Sequence, residues 1–188
     1  MEKQPSPSQR MRRSTARRKA HRAQGGLSLL FSFGVAALTL YVIFFLWLTP
    51  MAITGDSMAP ALKNGEIVLV DRLSKYLIRP DRGDLVLVEQ GGNPLIKRII
   101  GLPGEHVEIM EGQVYIDSRP LQETGYQVNT LGTFHKTFVP EGRVFLLGDN
   151  RQVLQDSRNP EMGSVAYEDI LGVVRFRIFP LSRLTLFY

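Results

Sequence analysis

The chain has no cysteine, and that absence removes several chemistries at once. No disulfide can staple it, no thiolate can attack a substrate, and no thiolate cluster can hold a metal. Histidine is scarce, with only His21, His106 and His135, too thin a supply for a metal site. No metal or other cofactor is expected. Acidic residues are almost missing from the first 22 positions, where eight Lys or Arg face Glu2 alone and leave +7. From Leu27 to Leu48 charge of either sign is absent. The rest of the chain carries −2, so the basic character belongs to the tail. An acidic body argues against a nucleic-acid-binding domain.

What is present divides the 188 residues into three parts. Residues 1–26 mix Arg, Lys, Ser, Gln and Pro without apolar periodicity, which predicts a disordered tail lying against anionic headgroups. Residues 27–48 form one uncharged run of 22. As a helix it spans roughly 33 Å, enough for a hydrocarbon core of roughly 30 Å. Trp47 stands where an interfacial anchor would. A cleavable leader would have a shorter apolar core followed by a small-x-small site. Thr49-Pro50-Met51-Ala52 offers no such site, so an uncleaved single transmembrane anchor is the better reading. Positive charge ahead of the span predicts a cytoplasmic N-terminus, a plasma-membrane location and an extracytoplasmic domain over residues 50–188.

Beyond the anchor the pattern alternates every two residues between turn signals, so the domain is expected to be mainly β. Strands are predicted at Glu66–Asp71, Asp84–Gln90, Leu95–Gly101, Val144–Leu147 and Leu171–Phe179. Val107–Met110 and Gln113–Asp117 read as a hairpin around Glu111-Gly112. Leu73–Ile78 reads as a short helical piece, Gly91–Pro94 as a loop, and Ser118–Lys136 as a polar surface excursion.

Two residues stand out chemically. Ser57 lies in Thr54-Gly55-Asp56-Ser57-Met58-Ala59-Pro60, where Gly55 permits unusual dihedrals and Pro60 biases its neighbour toward extended backbone. Ser57 is therefore expected on a fixed, extended segment near the membrane surface. Forty residues on, Lys97 sits in Leu95-Ile96-Lys97-Arg98-Ile99-Ile100, on one face with Leu95 and Ile99 while Arg98 takes the other. An amine among aliphatic side chains is desolvated, which disfavours its charged form and makes it a usable base. Alone, Lys97 reads better as an edge-strand lysine with its head in water. The serine upstream favours the base.

These stretches, with Asp81-Arg82-Gly83-Asp84, Lys97–Gly104, Gly148-Asp149-Asn150-Arg151 and Asp156-Ser157-Arg158, together resemble type I signal peptidase, the serine/lysine-dyad S26-type leader peptidase family. The single anchor and modest length are similar to its shorter, Gram-positive-like form. The resemblance implies an extracytoplasmic signal-peptidase-type β-domain of coiled sheets. It makes Ser57 the nucleophile and Lys97 the general base, with Gly55, Asp56, Met58 and Pro60 around the oxyanion and substrate pocket. It implies structural support from Arg98, Gly148, Asp149, Asn150, Arg151, Asp156 and Arg158. The implied partners are signal-peptide-bearing precursor proteins and the lipid bilayer, with cleavage by a monomer after Ala-x-Ala-like small residues. Two positions depart from the family pattern. Gly55 stands where some members carry an assisting serine, and Leu154 stands where a serine often bonds the lysine, which predicts a drier base.

Other readings remain at this stage. A Ser-His-Asp hydrolase would need His106 or His135, and neither lies in a triad context. A self-cleaving repressor-type Ser/Lys protease would share the dyad but not the anchor. A membrane-tethered module that holds substrate without cutting it, or a peptidase dedicated to one secreted or conjugative substrate, would carry the same motifs.

Overall fold

The computed structural model describes residues 30–45, 47–123 and 130–187. It divides into two units, one ending at Phe45 and one beginning at Leu46. In the first, residues 30–45 are helical. Among the described residues no helix is long and apolar enough to cross a membrane. The tail 1–26 lies outside the described residues, as do positions 27–29 and 46 of the apolar run. Leu48, expected to close the anchor helix, instead opens a strand.

The second unit is mainly β. Its strands are β1 Leu48–Ala52, β2 Ile67–Asp71, β3 Leu85–Gln90, β4 Asn93–Gly101, β5 His106–Met110, β6 Gln113–Ile116, β7 Arg119–Pro120, β8 Phe134–Phe138, β9 Arg143–Leu147, β10 Val165–Ala166, β11 Ile170–Phe179 and β12 Thr185–Leu186. A larger sheet runs β1-β2-β11-β3-β4-β9-β10, with β12 beside β11, and a smaller one runs β7-β6-β5-β8. Every pairing is antiparallel.

Leu85-Val86-Leu87-Val88 shows why the large sheet is covered on both faces. A continuous apolar run has no wet side, and all four residues are buried. Leu85 and Leu87 join Ile53, Met58, Leu62 and Ile96 in one cluster, while Val86 and Val88 join Ile99, Leu146 and Ile170 in another. A third cluster, around Ile100, Val107, Ile109, Phe145 and Leu147, includes residues of both sheets.

The predicted strands and the β5–β6 hairpin are present, and Ser74–Tyr76 forms the short helical piece as a 3-10 turn. The predicted loop at 91–94 is shorter than expected, because β4 already begins at Asn93. Gly91 and Gly92 both adopt positive φ, 58° and 81°, the geometry of a two-residue hairpin turn. β1 is not among the predicted strands, its first residue falling in the predicted anchor; Pro50 is tolerated in it because β1 is an edge strand, where a missing N–H costs no pairing. The excursion 118–136 is partly strand, since β8 begins at Phe134 and pairs with β5. Its residues 124–129 lie outside the described residues.

Candidate active site

Lys97 is placed by the middle of β4. Its cross-strand partner in β3 is Val86, whose face also carries Val88, Leu95 and Ile99. The residue is 1% exposed. Burial, the largest influence, lowers its amine from 10.5 to about 8; Asp156 pulls the value up, Arg158 pushes it down, and Asp149 pulls it up. At pH 7 roughly one amine in ten is then neutral, against fewer than one in a thousand for an exposed lysine.

Ser57 does not lie on extended backbone as the sequence suggested. Ala59 N–H donates to Asp56 O at 3.1 Å and Leu62 N–H to Met58 O at 2.8 Å, which winds residues 56–62 into turns. The bias that Pro60 imposes falls on Ala59 and does not reach Ser57, whose loop follows these local hydrogen bonds. Gly55 has φ 78°, and the Ala59–Pro60 bond is cis. Ser57 and Met58 line a small cleft with Met51–Thr54 on one side and Pro94–Ile96 on the other. Lys97 is the next residue along β4.

The turn at 148–151 holds this loop. Asn150 N–H donates to Ser57 O at 3.1 Å, and its side-chain amide donates to Asp56 O at 3.1 Å. Gly148 packs so closely that a Cβ there would stand 2.6 Å from Ser57 O. The same turn reaches β4 through Asp149, which is fully buried and takes Arg98 Nε at 2.7 Å and Nη2 at 2.5 Å. Arg98 Nη1 donates to Gly83 O at 2.6 Å, within the Asp81–Asp84 motif. Asp156 accepts Gly148 N–H at 3.0 Å and Arg158 Nε and Nη2 at 2.8 Å each. Arg151 is fully buried, bonds Gly148 O and Thr130 Oγ1, and pairs with Glu123.

Of the predicted pocket residues, Ser57 and Met58 line the cleft, while Gly55, Asp56 and Pro60 belong to the adjoining loop and are not among its lining; Lys97 and Arg98 are on β4, and the remaining predicted residues are in this turn system. Leu154 behaves differently from expectation. It is 51% exposed, just after the turn closed by the Val153 N–H to Asn150 O bond. The dryness of Lys97 comes from the flanking strands. The sequence reading missed Glu66, Arg177 and Arg183. Arg177 Nη1 donates to Ala61 O at 2.5 Å and to Glu66 Oε2 at 3.1 Å. Arg183 pairs with Glu66 and donates to Pro60 O at 3.1 Å. These groups brace the turn that follows Ser57. Glu66 shares its residue type with many surface positions, so only its 4% exposure marks it. No group of His, Asp or Glu among the described residues could hold a metal ion.

The family model for signal peptidase, peptidase S26, matches residues 27–179. Signal peptidase I U of Bacillus subtilis is 32% identical, over 83% of this chain and 89% of that one. Probable signal peptidase I-1 of Synechocystis is 37% identical, over 71% and 72%. Signal peptidase IB of Staphylococcus aureus is 31% identical, over 83% and 91%.

Two outcomes follow from this geometry. Holding the amine at about 8 rather than 10.5 costs the charged form roughly 3 kcal/mol. Because the folded value is the lower one, the penalty is present below pH 8 and fades as pH rises from about 8 toward 10.5. Lys97→Met is expected to stabilise the fold by roughly 1–3 kcal/mol at pH 7 and by little above pH 10.5, measured by chemical denaturation in detergent. Loss of stability at pH 7 would show that the amine is not desolvated. Gly148→Ala should displace Ser57 and lower kcat/KM about a hundredfold, with the β circular dichroism retained. Unchanged turnover would mean that this contact does not set the serine.

Proposed function

The chain belongs to the signal peptidase family, peptidase S26, and on that footing we propose a mechanism in which Ser57 and Lys97 act as a dyad. The protein is a serine endopeptidase of the signal peptidase I type, acting on signal-peptide-bearing precursors. The observation that carries the dyad is a buried lysine, lowered to about 8, one residue beyond the cleft that Ser57 lines.

Neutral Lys97 takes the Ser57 hydroxyl proton as Oγ attacks the peptide carbonyl. The tetrahedral oxyanion is stabilised by backbone N–H groups of the serine turn, with Gly55 and Asp56 shaping its approach. The ammonium returns the proton to the leaving amine, the C–N bond breaks, and the acyl-enzyme is released by a water that Lys97 deprotonates. Arg98, Asp149, Asn150, Arg151, Asp156 and Arg158 position these groups without touching substrate.

The cleft suits an extended peptide. Among the described residues β1 pairs only with β2, and β4 meets β9 only from Arg98 onward. The outer edge of β1 and the first half of β4 thus flank the cleft with open backbone edges, which a substrate strand can fill. Alternate side chains of that strand would point into the cleft near Met58. Its solvent-accessible volume is about 50 Å³, well below the about 150 Å³ cavity that takes a benzene ring. Small residues fit, so we infer cleavage in an Ala-x-Ala-like context. The +7 tail and the uncharged run 27–48 support a single-pass anchor with the β-domain outside the cell.

Ser57→Ala and Lys97→Ala should each lower precursor cleavage by about a thousandfold or more, because nucleophile and base act as one unit. Lys97→Arg should fail too, since a guanidinium stays charged. For the wild type, kcat/KM should rise about tenfold per pH unit on the acidic side and level off above about 8. Near-normal turnover of Lys97→Arg would require another base. In cleavage profiling, Phe or Leu one and three residues before the cut should be rejected. Free acceptance at both positions would contradict the small-pocket reading.

A further inference from the structure

β1 forms one wall of the cleft, and its own sequence fixes its register poorly. Leu48-Thr49-Pro50-Met51-Ala52 has no clean apolar alternation, none of its residues is fully buried, and among the described residues it has a strand on one side only. Such a strand is prone to slip, and a slip of one residue turns every side chain to the opposite face. Contacts at its two ends prevent this. At the far end Ile53 N–H donates to Glu66 O at 2.8 Å and Ile53 O accepts Gly65 N–H at 2.9 Å, with the side chain in the core cluster of Met58. At the near end Arg72 N–H donates to Trp47 O at 3.0 Å, and the Trp47 indole donates to Asp71 Oδ1 at 2.9 Å. The same oxygen accepts the N–H groups of Leu73 and Ser74 at 3.0 and 2.9 Å. Asp71 is 6% exposed. Burial alone would raise its pKa, but the backbone N–H groups of Ser74 and Leu73 and the indole outweigh it and hold the carboxyl below its ordinary value. The indole therefore meets a charged acceptor that is already fixed, the stronger kind of hydrogen bond.

These contacts decide which way the backbone of β1 faces. In an antiparallel pair, hydrogen-bonded and non-hydrogen-bonded positions alternate along the strand. With Trp47 bonded to Arg72 and Ile53 to Glu66, residues 47, 49, 51 and 53 turn their N–H and C=O groups toward β2. Residues 48, 50, 52 and 54 turn theirs to the open edge. Pro50, which has no N–H, falls on that edge. Ala52 and Thr54 present their backbone there while lining the cleft with Ser57. They are the groups that a substrate strand would meet first, and a slip of β1 would turn them away.

We propose that Trp47 and Asp71 are positioning residues for substrate binding: their hydrogen bond pins the register of β1 and so aims the Ala52 and Thr54 backbone at the peptide. The proposal rests on the reading of the cleft as a site for an extended strand. The effect belongs to binding, because Ser57 is held by the 148–151 turn and Lys97 by β4, neither of which this bond touches. Strand pairing made equally with substrate and transition state changes KM and leaves kcat alone.

Trp47 is the only tryptophan of the chain, so its fluorescence anisotropy reports on the bond. Full-length wild type, Trp47→Phe, Asp71→Ala and Asp71→Asn are assayed in detergent on one tryptophan-free peptide substrate. The same peptide is also N-methylated in turn at each residue before the cut, which removes one backbone donor at a time. Trp47→Phe and Asp71→Ala are expected to raise KM about fivefold, the scale of one hydrogen bond, with kcat within about twofold of wild type. Asp71→Asn keeps an acceptor oxygen and should bring KM back to within about twofold of wild type. Anisotropy should fall in Asp71→Ala and be retained in Asp71→Asn. N-methylation of at least one residue should raise the wild-type KM about fivefold and that of Trp47→Phe no more than about twofold, since both changes act on one contact. N-methylation without effect on the wild type at every position overturns the strand-binding reading, and the proposal with it. A methylation penalty in the wild type with unchanged KM in Trp47→Phe and Asp71→Ala overturns the pin and leaves that reading intact. A fall in kcat at constant KM also overturns the pin, since the bond would then serve the serine. Failure of Asp71→Asn to restore KM overturns the role of the accepting oxygen.

Discussion

An amine enclosed by aliphatic side chains sets the terms for the rest of this domain. Lys97 is 1% exposed, and its charged form is disfavoured because burial removes the water that would stabilise it. The cost, roughly 3 kcal/mol, is on the scale of what one or two fully buried aliphatic side chains contribute. The two-sided packing of Leu85-Val86-Leu87-Val88 readily offsets it. What the fold must avoid is a free carboxylate beside the amine, which would restore the charged form. Asp149 and Asp156 are both near enough to raise its value. Each is engaged by an arginine, Arg98 and Arg158 respectively, and Arg158 itself pushes the amine down. The pairs are buried, so their net worth to stability is small. Their value lies in placing the backbone while keeping the site's field near balance.

The 148–151 turn joins the two halves of the site. Gly148 and Asn150 contact the Ser57 loop, Asp149 reaches Arg98 beside Lys97, and Arg151 ties the turn to Glu123 and Thr130. A second brace comes from the C-terminal part, where Arg177 and Arg183, gathered on Glu66, hold the carbonyls of Ala61 and Pro60. The serine loop is thus gripped from two directions by segments remote in sequence. Such support holds the Ser57 loop in place without burying it, as the proposed attack requires.

How far this was legible in the sequence depended on the range of the forces. Lys97 was readable because alternation in Leu95–Ile100 places it by a local rule. The apolar runs of β2, β3 and β11 were readable for the same reason. The wound backbone at Ser57 was not, because the Pro60 bias falls on Ala59 and the bonds from Ala59 and Leu62 that wind the loop have no sequence signature. The Glu66–Arg177–Arg183 group was invisible because its partners lie more than a hundred positions apart. β8, Phe134–Phe138, was missed because it is largely exposed and shows no one-sided apolar pattern. Leu154 was misjudged through the family resemblance, since position alone could not reveal that its segment turns toward solvent.

The central claim is that Lys97 titrates as a desolvated base, and direct observation of its amine tests it most closely. Lysine-labelled full-length protein would be followed by nuclear magnetic resonance across pH 6 to 12, with Lys97→Arg assigning the signal. The account predicts one lysine titrating near 8, absent from the variant. Titration of every lysine near 10.5 would contradict it.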